Sequence, residues 1–95
     1  MNPIIDSKKL LAFYTLSQVL SFTVTASELN LTQSAISHAI AGLEKDLGVR
    51  LFNRLGRTVT ITEAGSCLLV HTKAILEEMT RTRESLAGLK YSLTA

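Results

Sequence analysis

Apolar residues near the start of the chain recur every three or four positions. The first such stretch places them at Leu10, Phe13, Leu16 and Leu20. This spacing predicts an amphipathic helix from about Ser7 to Leu20.

The segment Ser21-Phe22-Thr23 interrupts this pattern, and Thr23 is the predicted N-cap of a short second helix. That helix would direct Ala26 and Leu29 toward a core. The next residues, Asn30-Leu31-Thr32, are predicted to form a three-residue turn.

A third helix begins at Gln33, and its two faces differ in character. Its apolar positions fall within one narrow arc, at Ile36, Ile40, Leu43 and Leu47. The opposite face carries small and hydrogen-bonding side chains, at Ser34, His38, Ala41 and Lys45, with Gln33, Ser37 and Glu44 beside them. Solvent-facing helix surfaces are usually more charged, so this face suggests a binding role. Gly48 is the predicted helix stop.

The residues after this helix predict a β hairpin. Val59 and Ile61 alternate with threonines between Arg57 and Thr62, which is typical of a strand with one buried face. Leu55-Gly56 is the predicted turn. A two-stranded hairpin is marginal alone and needs helices beneath it.

A long final helix is predicted from Glu63 to about Leu93, with Thr62 as its N-cap. Alternating spacings of four and three connect Leu68, Thr72, Ile75, Met79, Thr82, Leu86, Leu89 and Leu93. This is a coiled-coil pattern. At about 1.5 Å per residue the helix is far longer than the small domain before it can cover. We therefore expect a homodimer joined through Leu68, Ile75, Met79, Leu86 and Leu89; the alternative is that the stripe packs against another domain.

Length and composition limit the function classes. With 95 residues, of which 46% are hydrophobic and 19% charged, the chain has room for one folded domain and lacks the composition of a disordered protein. There is no glycine-rich phosphate loop, metal-ligand spacing or acid/base pair, so we expect no enzyme activity, cofactor or metal.

No apolar run is long enough to span a membrane. The single cysteine, Cys67, is interpreted as a packing residue and His71 as a partly exposed helical residue.

The formal net charge of +2 favours anionic partners only mildly, so the placement of charge must decide. The segment from Lys45 to Arg57 holds four basic residues against the single acid Asp46. Arg54 and Arg57 bracket the predicted turn, where they would contact the DNA minor groove and a phosphate. Thr23, Lys45 and Arg50 are secondary candidates for phosphate contacts; alternatively, Arg50 pairs with an acid such as Asp46.

Two short helices joined by a tight turn satisfy the geometry of a helix-turn-helix, and the hairpin adds a wing. The predicted fold is mainly α: a winged helix-turn-helix of three helices and a two-stranded hairpin, followed by the long helix. The DNA major groove admits a helix whose outward side chains are short or able to hydrogen-bond to base edges. The candidates for this contact are Thr32, Gln33, Ser34, Ala35, Ser37 and His38.

These residues resemble the N-terminal DNA-binding domain of LysR-type transcriptional regulators. The resemblance covers roughly residues 8 to 70 without a gap. It includes Ser21-Phe22-Thr23, Gln33-Ser34-Ala35-Ile36-Ser37, Leu47-Gly48-Val49-Arg50-Leu51-Phe52, Arg54, Arg57 and Ile61-Thr62-Glu63-Ala64-Gly65. The chain departs from the family pattern at Val24, where a basic residue is common, at Thr25, where alanine is common, and at His38, where arginine is frequent.

The resemblance implies sequence-specific binding of double-stranded DNA by a dimer and transcriptional regulation in the bacterial cytoplasm, at the nucleoid. It divides the chain into a DNA-binding domain, residues 1–62, and a linker and dimerisation helix, residues 63–95. It also implies a C-terminal effector-binding domain, absent from this sequence, that would bind a small molecule and often assembles into tetramers. We expect the chain to be part of such a protein, with a naturally short protein as the alternative. The competing function is a coiled-coil interaction module without specific DNA binding.

Overall fold

The computed structural model describes residues 2–94, and the side chains of residues 2–91. Four helices and a two-stranded sheet follow one another as α1 (Ser7–Val19), α2 (Phe22–Leu29), α3 (Gln33–Leu47), β1 (Phe52–Leu55), β2 (Thr58–Ile61) and α4 (Glu63–Thr94). The predicted mainly helical winged fold is confirmed.

Polar side chains and left-handed residues set the ends of the first three helices. Asp6 caps α1 by accepting hydrogen bonds from the backbone N–H groups of Lys8 and Lys9. Leu20 and Asn30 end α1 and α2 in the left-handed region, at φ 51° and 55°, and Gly48 ends α3 at φ 72°. These caps allow the sharp turns between helices.

The predicted N-cap of α2 was wrong by two residues. Ser21, not Thr23, has the extended backbone of a cap, and its hydroxyl accepts a hydrogen bond from the Val24 N–H at 3.1 Å. Serine is a preferred cap, and a helix that starts two residues earlier gains the backbone hydrogen bond from the Thr25 N–H to the Ser21 carbonyl at 3.0 Å. Thr23 therefore lies exposed within the first turn of α2.

The core lies where α1, α2 and α3 meet the hairpin. Its fully buried members include Phe13 and Leu16 of α1, Ile36 and Leu43 of α3, and Leu51. As predicted, Ala26 is buried and Leu29 packs against the same cluster. This packing fixes α3 with one face buried and the other free.

The hairpin is antiparallel, with Phe52 opposite Ile61 and Leu55 opposite Thr58. Its connecting residues are Gly56 and Arg57, one position later than the predicted turn, so Leu55 is the last residue of β1. Gly56 has φ 62°, which favours glycine. Arg57 thus lies in the turn itself.

The start of α4 is fixed to the body by Thr62 and Gly65. The Thr62 hydroxyl donates to the Arg50 carbonyl at 2.6 Å and accepts from the Gly65 N–H at 2.9 Å, which confirms the predicted cap. A Cβ atom on Gly65 would collide with the Leu51 carbonyl oxygen. Only glycine allows α4 to approach the hairpin this closely.

The apolar stripe of α4 divides into two parts. Leu68 and Ile75 pack against the core of their own chain, and Thr72 is fully buried. The more distal residues, Met79, Leu86 and Leu89, are exposed. The expectation that a second copy covers the whole stripe is therefore corrected for its first part; Leu93 lies outside the residues with described side chains.

Cys67 is exposed, so its interpretation as a packing residue was wrong. It lies five positions before the buried Thr72, or about 140° away around the helix. His71 is also exposed.

Candidate nucleic-acid interface

The outward face of α3 is the most distinctive polar surface of the chain. Gln33, Ser34 and His38 are exposed, while Ala35 and Ser37 are half-buried along its edges. Ile36, Ile40 and Leu43 anchor the opposite face in the core. Because the core fixes the helix rotation, the polar face is presented to solvent in one defined orientation.

Thr32 has a structural task at the start of α3. Its hydroxyl accepts the Ala35 N–H at 3.0 Å, and its carbonyl accepts the Ile36 N–H at 3.1 Å. The residue is exposed and lies at the positive end of the helix dipole. Its backbone position therefore suits an anionic ligand, while its side chain is engaged in the cap.

Arg54 is folded back onto the helices instead of extending from the wing. Its guanidinium carbon lies 3.7 Å from the centroid of the Phe22 ring, and its Nη2 donates a hydrogen bond to the Ser37 Oγ at 3.2 Å. Strand alternation explains this orientation, because Arg54 shares a face with the buried Phe52. Arg54 therefore lies on β1 against the helices and Arg57 in the turn, so the two predicted wing arginines have different surroundings.

Arg57 is exposed in the hairpin turn, beside the strongly exposed Leu55. It shares an open crevice between the wing and the helices with Thr23 and Gln33, and Phe22, Ser37 and Arg54 also line it. The structure thus brings together predicted residues from α2, α3 and the wing. Arg57 lies in the hairpin turn at one side of this crevice, and Arg54 lies on β1 against Phe22.

Arg50 pairs with an acid, which was the alternative to a phosphate contact, and that acid is Glu44, not the Asp46 named as an example. Its Nε lies 3.9 Å from Glu44 Oε2, a loose contact of a largely exposed arginine. The same carboxylate oxygen accepts the Leu51 N–H at 2.7 Å. Through this hydrogen bond Glu44 connects the end of α3 to the next segment. This structural role was not apparent from the sequence.

The basic residues of this surface are largely uncompensated. Across the part of the chain that the structure describes, carboxylates pair with Arg50 and Arg81. Arg54, Arg57 and Lys45 have no carboxylate within ion-pair distance there. Lys45 is exposed near the C-terminal end of α3, on the same side of the helix as Ser34 and His38. The surface therefore presents positive charge at both ends of a small polar helix face.

Sequence reasoning missed the contact that Phe22 makes at this surface. Phe22 was treated as part of the break between two helices, although it supports Arg54. The two residues are 32 positions apart, and local periodicity carries no signal for such a contact. The alternation that groups Arg54 with Phe52 was the available signal for the inward orientation of the arginine.

A metal site and a membrane-spanning helix are both absent from the described residues. Their His, Cys, Asp and Glu side chains form no group of three able to hold a metal ion. None of the helices in this part of the chain combines the length and apolar character needed to cross a membrane.

Comparison with protein families finds a match to the bacterial regulatory helix-turn-helix protein, lysR family, over residues 7–66. An uncharacterized HTH-type transcriptional regulator, y4mQ, of Sinorhizobium fredii is 49% identical over 73 residues, which are 77% of this chain and 24% of that protein. A second uncharacterized HTH-type regulator, of Azotobacter vinelandii, is 45% identical over 84 residues, or 88% of this chain and 58% of that protein. The chain thus spans between a quarter and three fifths of these relatives.

Among solved structures, the CbnR DBD in complex with DNA superposes with a TM-score of 0.84 at 27% sequence identity. The match covers 90% of this chain and 98% of that one. The similarity therefore extends over most of this chain and nearly all of that one.

Proposed function

This chain belongs to the lysR family of bacterial regulatory helix-turn-helix proteins, and from that premise we propose that it binds double-stranded DNA as a transcriptional regulator. The observation that carries the proposal is the polar outward face of α3 beside an uncompensated basic wing. The expectation that the chain is not an enzyme agrees with its relatives, which are named as transcriptional regulators. The mechanism is recognition, without a chemical step.

In the proposed complex α3 enters the major groove. Gln33, Ser34 and His38 are long or polar enough to hydrogen-bond to base edges, and the half-buried Ala35 is suited to contact a thymine methyl group. Thr32 would bring its backbone near a phosphate, since its hydroxyl already caps the helix. Ser37 would act at the edge of this surface, next to Arg54.

The wing and its surroundings supply the electrostatic contribution. Arg57, exposed in the turn, is assigned to the minor groove that adjoins the major groove occupied by α3. Lys45 and Thr23 are assigned to phosphates because both are exposed at the margins of the polar face. Arg50 is a weaker candidate, since part of its charge is directed to Glu44.

Dimerisation is assigned to the distal part of α4. Met79, Leu86 and Leu89 form an exposed apolar stripe that a second α4 would cover, while Leu68 and Ile75 support the same helix from within the chain. We accordingly assign residues 1–62 to DNA binding and 63–95 to dimerisation, with Ala95 outside the described residues. Since chromosomal DNA is the proposed ligand, the proposed location is the bacterial cytoplasm, at the nucleoid.

Selection of bound sequences from a randomised duplex library tests this function with the chain as it stands. We expect enrichment of an inverted repeat, because a two-fold dimer presents two copies of α3. Gln33→Ala should lower base discrimination by about 1–3 kcal/mol at one position of each half-site if its contact is bidentate. Arg57→Ala should weaken binding to all sequences and make its salt dependence shallower.

Arg81→Ala is the matched control, because Arg81 is an exposed arginine on α4, outside the polar face and the wing and on the other side of the helix from Met79. It removes the same charge and should change affinity much less than Arg57→Ala. A folded dimer that enriches no sequence, and whose weak DNA binding is equally affected by both arginine variants, would contradict the proposal. That outcome would favour the interaction module instead.

A further inference from the structure

Three elements meet at the side chain of Arg54. The arginine belongs to β1, the ring beneath it belongs to Phe22 at the start of α2, and the hydroxyl beside it belongs to Ser37 of α3. The 3.7 Å stacking distance and the 3.2 Å hydrogen bond restrain the guanidinium on two sides. Arg54 is nevertheless exposed, so its remaining N–H groups are accessible.

We propose that Phe22 is a positioning residue that holds Arg54 ready to clamp a DNA phosphate. An arginine loses side-chain entropy when it is ordered by a ligand, and stacking on an aromatic face before binding reduces that loss. The guanidinium plane then presents a fixed set of donors, which suits the geometry of a phosphate. Arg54 and Arg57 would thus have different tasks despite lying three residues apart.

The location of Arg54 indicates which phosphate it would meet; this step rests on the function proposed above. If α3 occupies the major groove and Arg57 the adjacent minor groove, the DNA sugar-phosphate backbone that separates the two grooves must pass between α3 and Arg57. The crevice between α3 and the wing lies along that path, and Arg54 lines it. The restrained guanidinium is therefore placed for the backbone between the grooves, whereas the minor groove is left to Arg57.

Ser37 connects this clamp to base recognition. Its Oγ accepts a hydrogen bond from Arg54, so its own proton is free for an acceptor on the DNA. Restraint of Arg54 by Phe22 consequently also restrains Ser37 on the edge of α3. Phe22 would act on both without contacting DNA itself.

Four variants test this positioning role. Phe22→Leu removes the aromatic face but keeps an apolar side chain, and Phe22→Tyr restores the face. Arg54→Ala removes the clamp, and Phe22→Leu is repeated in that background. Because Phe22 is half-buried and its loss could affect folding, Arg54→Lys provides a variant at an exposed position that keeps the charge and loses the planar guanidinium.

The first measurement is made without DNA. The NMR signals of the Arg54 side chain should carry the ring-current shift of Phe22 in the unmodified chain and in Phe22→Tyr, and lose it in Phe22→Leu. An Arg54 spectrum that is the same in all three proteins would overturn the proposed contact. This measurement does not depend on whether the chain binds DNA.

The second measurement is the affinity for a mixed-sequence DNA duplex over a range of salt concentrations, since phosphate contacts do not require a particular sequence. We expect Phe22→Leu and Arg54→Lys to weaken binding about two- to tenfold, with Phe22→Tyr close to the unmodified chain. Arg54→Ala should reduce the salt slope by about one. In the Arg54→Ala background, Phe22→Leu should have no further effect.

Equal weakening by Phe22→Leu in both backgrounds would show that Phe22 acts through general stability, and the positioning role would be excluded. Unchanged affinity in Arg54→Lys would exclude the need for a planar clamp. If the unmodified chain shows no salt-dependent DNA binding, the proposed function fails, whatever the Arg54 spectrum shows.

Discussion

At the scale of single residues, two buried threonines are unusual in this core. Thr25 and Thr72 are both fully buried, and their hydroxyl oxygens have no hydrogen-bond partner among the described residues. An unsatisfied buried hydroxyl lowers stability because water is lost without replacement. The family resemblance points to alanine at Thr25, so this chain carries a costly polar atom where a smaller side chain is common.

Thr72→Val should therefore raise the free energy of unfolding by about 1 kcal/mol, since valine keeps the branched shape and removes the unpartnered oxygen. Urea unfolding at a fixed protein concentration measures the change. Thr80→Val is the matched control on the same helix, because Thr80 is exposed and its hydroxyl donates to the Leu76 carbonyl at 3.3 Å. A loss of stability in Thr72→Val larger than in the control would contradict the prediction.

Two glycines of α4 are expected to respond oppositely to the same substitution. Gly65→Ala should lower the free energy of unfolding by about 1–3 kcal/mol, because the new methyl group meets the Leu51 backbone. Gly88→Ala should raise it by up to about 1 kcal/mol, since that position is open and helical. Thermal and urea unfolding of both variants provide the comparison, and equal responses would refute the close approach of α4 to the hairpin.

At the scale of elements, the helices and the hairpin could be predicted because each depends on local spacing. Ile36, Ile40 and Leu43 are three or four residues apart, and their burial fixes which side of α3 is free. The remaining features depend on contacts between distant residues. The contacts of Phe22 with Arg54 and of Glu44 with Leu51, and the close packing at Gly65, have no local period, so the sequence did not indicate them.

The stripe on α4 shows why periodicity alone was insufficient. Its spacing is continuous, yet the body of the domain covers Leu68 and Ile75 and leaves the distal leucines exposed. A heptad pattern indicates that a face is buried, and it does not identify what buries it. Only the folded domain shows where intrachain packing ends.

The double variant Leu86→Asp and Leu89→Asp should convert the proposed dimer to a monomer, because it places carboxylates in the exposed apolar stripe that the second copy would cover. Sedimentation over a range of concentrations measures the association. Val70→Asp is the control: Val70 is 71% exposed and lies nine positions before Met79, on the opposite side of the helix. A double variant that remains dimeric would show that another surface holds the two chains together.

At the scale of the whole molecule, the shape separates recognition from assembly. The chain extends over 57 × 33 × 19 Å, and the long axis reflects a helix of 32 residues that reaches well beyond the three-helix body. The polar face of α3 and the distal stripe of α4 lie on different elements with no residue in common. Assembly can therefore be removed without altering the surface proposed to contact DNA.

This separation predicts how affinity depends on the DNA site. At concentrations where the unmodified chain is monomeric, the Leu86→Asp and Leu89→Asp variant should have the same affinity as that chain for a duplex with one half-site. On the full inverted repeat it should lose a factor on the order of 10²–10⁴, because two linked contacts no longer act together. Fluorescence anisotropy with the two duplexes at one salt concentration provides the measurement. Equal losses on both duplexes would mean that α4 supports the fold of the reading surface itself, and the two functions would then be inseparable in this chain.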